Sequence, residues 1–225
     1  MGLIKLESLD HTEALRYLGM QGKTPDAATA RLLEDCEKEL LAAAKPAYIY
    51  RCFESTHTPG GVALANCGLL LTGKEIYSHL EGCEKAVLLC ATISAGIDGL
   101  IRKAQVEDMA KAVVLDALAS VAVEQLCQKL EDQIGRDFTQ YYKTWRFSPG
   151  YGDLPVTLQR DFLNVLDAPR KIGVCTNESC MLTPAKSVTA VVGLSREEIK
   201  KKRRSCTDCT LRERCAFRKA GERCV

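Results

Sequence analysis

The chain has 225 residues, 46% of them apolar, and a net charge of +2, enough for one sizeable core with or without a small appendage. No apolar run approaches a membrane span, and the opening MGLIKLESLDHTEALRYLG carries neither the apolar stretch nor the small-residue cleavage site of a secretory leader. Twelve cysteines, most of them single inside apolar segments, do not make a disulfide scaffold at this length and fit a reducing, cytoplasmic setting.

In chain order, Asp10 with Glu13 reads as a capping box opening a helix to about Met20. Thr24 with Pro25 predicts a second helix to about Ala44, with Leu32, Cys36, Leu40 and Ala43 as its stripe. AYIYRCF (47–53) reads as a strand, and GVALANCGLLL as a strand or a small-residue helix. GKEIYSHL looks helical, whereas KAVLLCATI (85–93) is a short continuous apolar run, most simply a buried strand. From Glu107 to Ile134 the apolar residues recur at helical spacing, and Gly135 is expected to end that helix.

After the Pro- and Gly-dense TWRFSPGYGDLP comes a helix from Pro155 to about Leu166. KIGVCTNESCML and SVTAVVGLS read as two strands, and Ser195 with Glu198 as the start of a short basic helix. Strands and helices mix without a regular βαβ repeat. The fold expected is α+β, a mixed and mainly antiparallel sheet packed with helices over residues 1–195, plus a small Cys-rich metal-binding tail over 196–225.

The usual phosphate, dinucleotide, zincin and hydrolase motifs are all missing. His11, His57 and His79 are scattered and read as surface or turn residues. The tail is the conspicuous feature. It carries 11 Lys or Arg against 5 acids, a net +6 that leaves −4 for residues 1–195.

Cys206, Cys209, Cys215 and Cys224 offer four soft ligands there, and the neighbouring arginines favour the thiolate form. On spacing alone zinc and an iron–sulfur cluster stand level, with Cys175 or Cys180 as substitutes for Cys224. A basic zinc module gripping nucleic acid ranks last, because Phe217 is the only stacking aromatic in the tail.

Two internal segments, RFSPGYGD (146–153) and TNESCMLTPAKSVTAVVG (176–193), resemble the reactivation domain of cobalamin-dependent methionine synthase. They share its R-x-x-P-G-Y element, here Arg146, Pro149, Gly150 and Tyr151. They also share a later element, here Glu178, Ser179, Pro184, Ser187 and Val188. CATISAGIDGL and the helix after it add to the likeness, which spans about Pro46 to Gly193 and is strongest toward standalone forms with a cysteine-rich C-terminus.

The resemblance implies a corrinoid-binding module as partner, which carries the cobalamin. It further implies reduction of inactive Co(II), and methylation by S-adenosylmethionine. The candidate ligand contacts are Arg146, Gly150, Tyr151, Glu124 and Glu178. A tail [4Fe–4S] cluster on the four cysteines would relay the electron from a flavodoxin- or ferredoxin-type donor. Zinc has no redox couple, so the relay favours iron–sulfur.

An adenosylmethionine-binding activator with an external flavoprotein donor and a zinc tail is the alternative. One departure bears on ligand binding: Val191 and Val192 stand where the family has aromatic residues. Lys186 reads as a solvated charge.

Overall fold

A computed structural model describes residues 4–199 and residue 213. The four tail cysteines, and all but the start of the helix expected after Ser195, lie outside the described residues. Residues 196–199 are not helical.

A six-stranded antiparallel sheet runs in the order β3-β2-β1-β4-β8-β5. Its strands are β1 (Ala47–Thr58), β2 (Gly61–Leu64), β3 (Leu70–Leu71), β4 (Lys85–Thr92), β5 (Tyr142–Lys143) and β8 (Ser187–Ser195). A separate two-stranded hairpin joins β6 (Cys175–Thr176) to β7 (Leu182–Thr183). The α+β expectation holds.

β4 explains the layering. All its residues from Ala86 to Thr92 are buried, because both faces of the sheet are covered. Val87, Leu89 and Ala91 point into a core shared with α1 (His11–Tyr17), α2 (Ala27–Ala43), α4 (Ala95–Glu107) and α5 (Met109–Asp137). Ala86, Leu88 and Cys90 point the other way, toward α3 (Lys74–His79), α6 (Gln159–Leu166), α7 (Ala168–Ile172) and the β2–β3 hairpin. Alternation along one strand thus feeds two cores.

Local chemistry moves several boundaries. Asp10 caps α1 by accepting the Thr12 and Glu13 N–H groups, but Glu13 turns to Arg16 instead of closing a capping box. Asp26, not Thr24, caps α2, because its carboxylate reaches the Thr29 N–H at 2.7 Å. The helix expected to begin at Glu107 begins at Met109: Asp108 breaks the chain with an extended backbone and caps α5 through Ala110 and Lys111. Gly135 does not end it, since Phe138 is the C-cap.

GVALANCGLLL is the β2–β3 hairpin, not a helix. KIGVCTNESCML is no single strand: it begins in α7 and then makes the β6–β7 turn, where Asn177 Oδ1 accepts the Met181 N–H. α4 has no counterpart among the sequence expectations.

Candidate functional site

The RFSPGY segment crosses the sheet edge beside β8. Phe147 exchanges both backbone hydrogen bonds with Val191, at 2.9 and 2.8 Å, which pins Arg146 and Tyr151 on either side of a fixed point. Beyond it Tyr151 N–H bonds Ser148 O, and Gly150 N–H bonds Leu154 O at 2.8 Å. Gly150 has φ +91, a conformation that glycine adopts without strain. Leu154 is buried and anchors the loop.

Arg146 lies over the middle of α5. Its Nη2 donates to Glu124 Oε2 at 2.8 Å, and its Nε bonds Glu131. Glu124, Cys127 and Glu131 share one helix face, being three and seven residues apart. Burial raises the Glu131 carboxyl, with Arg146 opposing that rise. Burial likewise pushes the Cys127 thiol up to about 12 despite the guanidinium beside it. Glu131 is therefore the buried end of a clamp whose other end, Glu124, is 46% exposed.

Of the expected contacts, the structure brings Arg146 and Glu124 together and sets Gly150 and Tyr151 in the adjoining loop. The Tyr151 ring is half-exposed and meets Phe147 edge-on, with centroids 6.1 Å apart. Trp145 and His79 continue this aromatic row behind Phe147. Glu178 is exposed at the tip of the β6–β7 turn, and no ion pair or hydrogen bond ties it to the Arg146 clamp.

Glu131 and Cys127 escaped the sequence reading, though the spacing Glu124, Cys127, Glu131 was its available signal. Lys186 is a correction. Its side chain is only 15% exposed and bonds Asp116 Oδ1 at 2.8 Å and Ser120 Oγ at 2.9 Å, which ties β8 to α5. Val191 and Val192 are fully buried in β8, facing opposite cores.

The histidines depart from the turn-and-surface expectation, for none lies in a turn and all three are partly buried: His11 opens α1 and pairs with Glu37, while His57 in β1 and His79 at the end of α3 each reach a backbone carbonyl, His79 also packing on Trp145. Two open clefts, of about 430 and 320 Å³, lie against α6 and against α4–α5; neither is lined by Arg146 or Tyr151. No cluster of three metal-ligating side chains occurs among the described residues. None of their helices is long and apolar enough to cross a membrane.

Compared with known proteins, the chain matches no protein-family model and no curated protein sequence. It does match a solved structure, the MetH reactivation domain bound to AdoHcy, with a TM-score of 0.65 and 16% identity. The match covers 85% of this chain and 75% of that one. The likeness is one of fold.

Proposed function

We propose that this protein reactivates a corrinoid-dependent methyltransferase of the methionine synthase type. In that role it binds an adenosyl sulfonium ligand at the Arg146–Tyr151 loop and passes an electron through its cysteine tail. The observation that carries this reading is the shared fold with the MetH reactivation domain over 85% of the chain, together with the RFSPGY element lying on the sheet edge over α5. Fold alone does not carry function. The residues at that edge supply the rest.

Arg146 presents a planar fork suited to a carboxylate. Glu131 holds one side of the fork from within the core, whereas Glu124 is the solvent-side partner that an incoming ligand carboxylate displaces. The displaced Glu124 is then placed to pair with the ligand's ammonium group. The half-exposed Tyr151 ring, steadied by Phe147, offers a stacking face for adenine. Glu178 is assigned to the docking face rather than to the ligand, because it stands on a separate hairpin.

The tail leaves the sheet on the same edge. Ser195 pairs with Tyr142 of β5, four residues along β8 from Val191, or about 13 Å at strand rise. Cys206, Cys209, Cys215 and Cys224 would hold a [4Fe–4S] cluster, the surrounding arginines offsetting its charge. Such a cluster supplies one electron at low potential, taken from a flavodoxin- or ferredoxin-type donor, for reduction of the partner's Co(II).

Two measurements test the proposal. Calorimetric titration with S-adenosylhomocysteine should show one site, lost in Arg146→Gln. Anaerobically prepared protein should contain iron and acid-labile sulfide, and Cys209→Ser should lose both. Absence of ligand binding defeats the loop assignment; one zinc and no iron defeats the relay.

A further inference from the structure

Strand β1 is 12 residues long, but β2 covers only its last four, Ser55–Thr58. Which backbone groups remain follows from the ladder. Ser55 N–H bonds Glu84 O on the β4 side, and Ala65 N–H bonds Glu54 O on the β2 side. In an antiparallel strand the N–H and C=O of one residue point the same way, and the direction alternates with each residue. Ile49, Arg51 and Phe53 therefore face β4. Tyr48, Tyr50 and Cys52 turn three N–H and three C=O groups to the open side. None of these six groups bonds another among the described residues.

The open stretch is bounded at both ends. Pro46 has no N–H, and the Glu54 carbonyl is already taken by Ala65. Between them the chain is aromatic and β-branched, with neither Gly nor Pro. Its one charge is Arg51, whose guanidinium bends over the Phe53 ring and donates to Val165 O at 2.7 Å. An edge of this kind invites pairing unless something covers it.

We propose that a second copy of this chain covers it. The two β1 strands pair antiparallel about a two-fold axis at Tyr50 and join the two sheets. Register follows from the bounds. With the axis at Tyr50, Tyr48 lies opposite the partner's Cys52 and Tyr50 opposite the partner's Tyr50, so all six groups on each copy are bonded. Moving the axis to Ile49 sets Cys52 against the partner's Pro46, which has no donor. Moving it to Arg51 opposes two like charges and requires the occupied Glu54 carbonyl. Only the Tyr50 register satisfies every group and keeps the charges apart.

Sedimentation and amide exchange of the full chain test this. The protein should sediment as a dimer. The N–H groups of Tyr48, Tyr50 and Cys52 should exchange on the order of tenfold or more slower at high concentration than on dilution, while those of Ile49 and Arg51 stay protected throughout. Tyr50→Lys should give a folded monomer. Because the Tyr50 hydroxyl also bonds Asp137, Cys52→Pro is the second variant, and it removes an N–H that nothing among the described residues uses. A monomer at every concentration overturns the proposal, whether those three amides exchange freely or are covered by the chain itself. A dimer that leaves them unprotected, or that survives both substitutions, overturns it equally.

Discussion

Asp153 and Lys74 are 79 residues apart, yet the Asp153 carboxylate accepts the Lys74 backbone N–H at 2.6 Å and the Glu75 N–H at 3.0 Å. α3 begins after Gly73, which has no side chain to cap it. The loop that follows the arginine element therefore supplies the cap, and the candidate site and α3 are mechanically one unit. Asp153→Ala should cost about 1 kcal/mol in urea unfolding, with Asp153→Asn milder.

The same carboxylate sets a pH dependence. Burial pushes the Asp153 carboxyl up, but the Glu75 and Lys74 amides outweigh it and hold the group below the ordinary carboxylate value. The folded pKa is thus lower than the unfolded one. The stabilisation is complete above the unfolded value and is lost as pH falls through the folded one. Unfolding curves of wild type and Asp153→Ala should converge on acidification.

Removing Arg146 should be severe. Arg146→Met strands the buried Glu131 carboxylate and is expected to cost about 3 kcal/mol, most of it recovered in Arg146→Met with Glu131→Met. Glu131 is raised by burial even with Arg146 opposing, so its folded pKa lies above the unfolded one, and further above when Arg146 is gone. Stability of the single variant should then fall as pH rises through the window between those values. The double variant should show no such fall.

Gly193 sits where β8 passes α3. A Cβ there would lie 2.6 Å from Cys83 Sγ and 2.8 Å from Leu80 Cδ2. Gly193→Ala should destabilise by about 1–3 kcal/mol through overpacking, read as a lowered urea midpoint.

Thiol reactivity should divide the described cysteines. Cys36, Cys83, Cys90 and Cys127 are buried, and burial raises the pKa of each. Cys175 is exposed. Native alkylation followed by mass spectrometry should modify Cys175 well before those four, which should react only on unfolding.

Much of the fold could be read from the chain because its strongest elements carry strong patterns. β4 is continuously apolar since both faces are covered, and α5 repeats its apolar face across 29 residues. α4 was missed because it opens at Ser94 with φ +86 and carries Gly96 and Gly99 early, which breaks the apolar stripe. The β6–β7 region was overread as strand because Cys, Val and Thr favour strands locally, whereas the Asn177 side chain closes a turn.

At the candidate site, Arg146, Gly150 and Tyr151 are nominated by their motif and Glu124 by its helix, and the structure shows the Arg146–Glu124 pair beside the loop that carries the other two. The grip of Glu131 is not legible in this way, because it depends on β8 carrying Phe147 across α5, a tertiary fact without a local signature. Lys186 looked solvated for the same reason: its partners, Asp116 and Ser120, lie about 70 residues away.

The central claim is reductive reactivation, and it is tested most directly by following cobalt. The full chain, prepared without oxygen, would be mixed with a Co(II) corrinoid methyltransferase, S-adenosylmethionine and a low-potential donor, and the corrinoid spectrum recorded. The account predicts that methylcobalamin accumulates only when all four are present and that Cys209→Ser stops it while S-adenosylhomocysteine still binds. A corrinoid that stays Co(II) beside protein carrying its full iron and sulfide would contradict it.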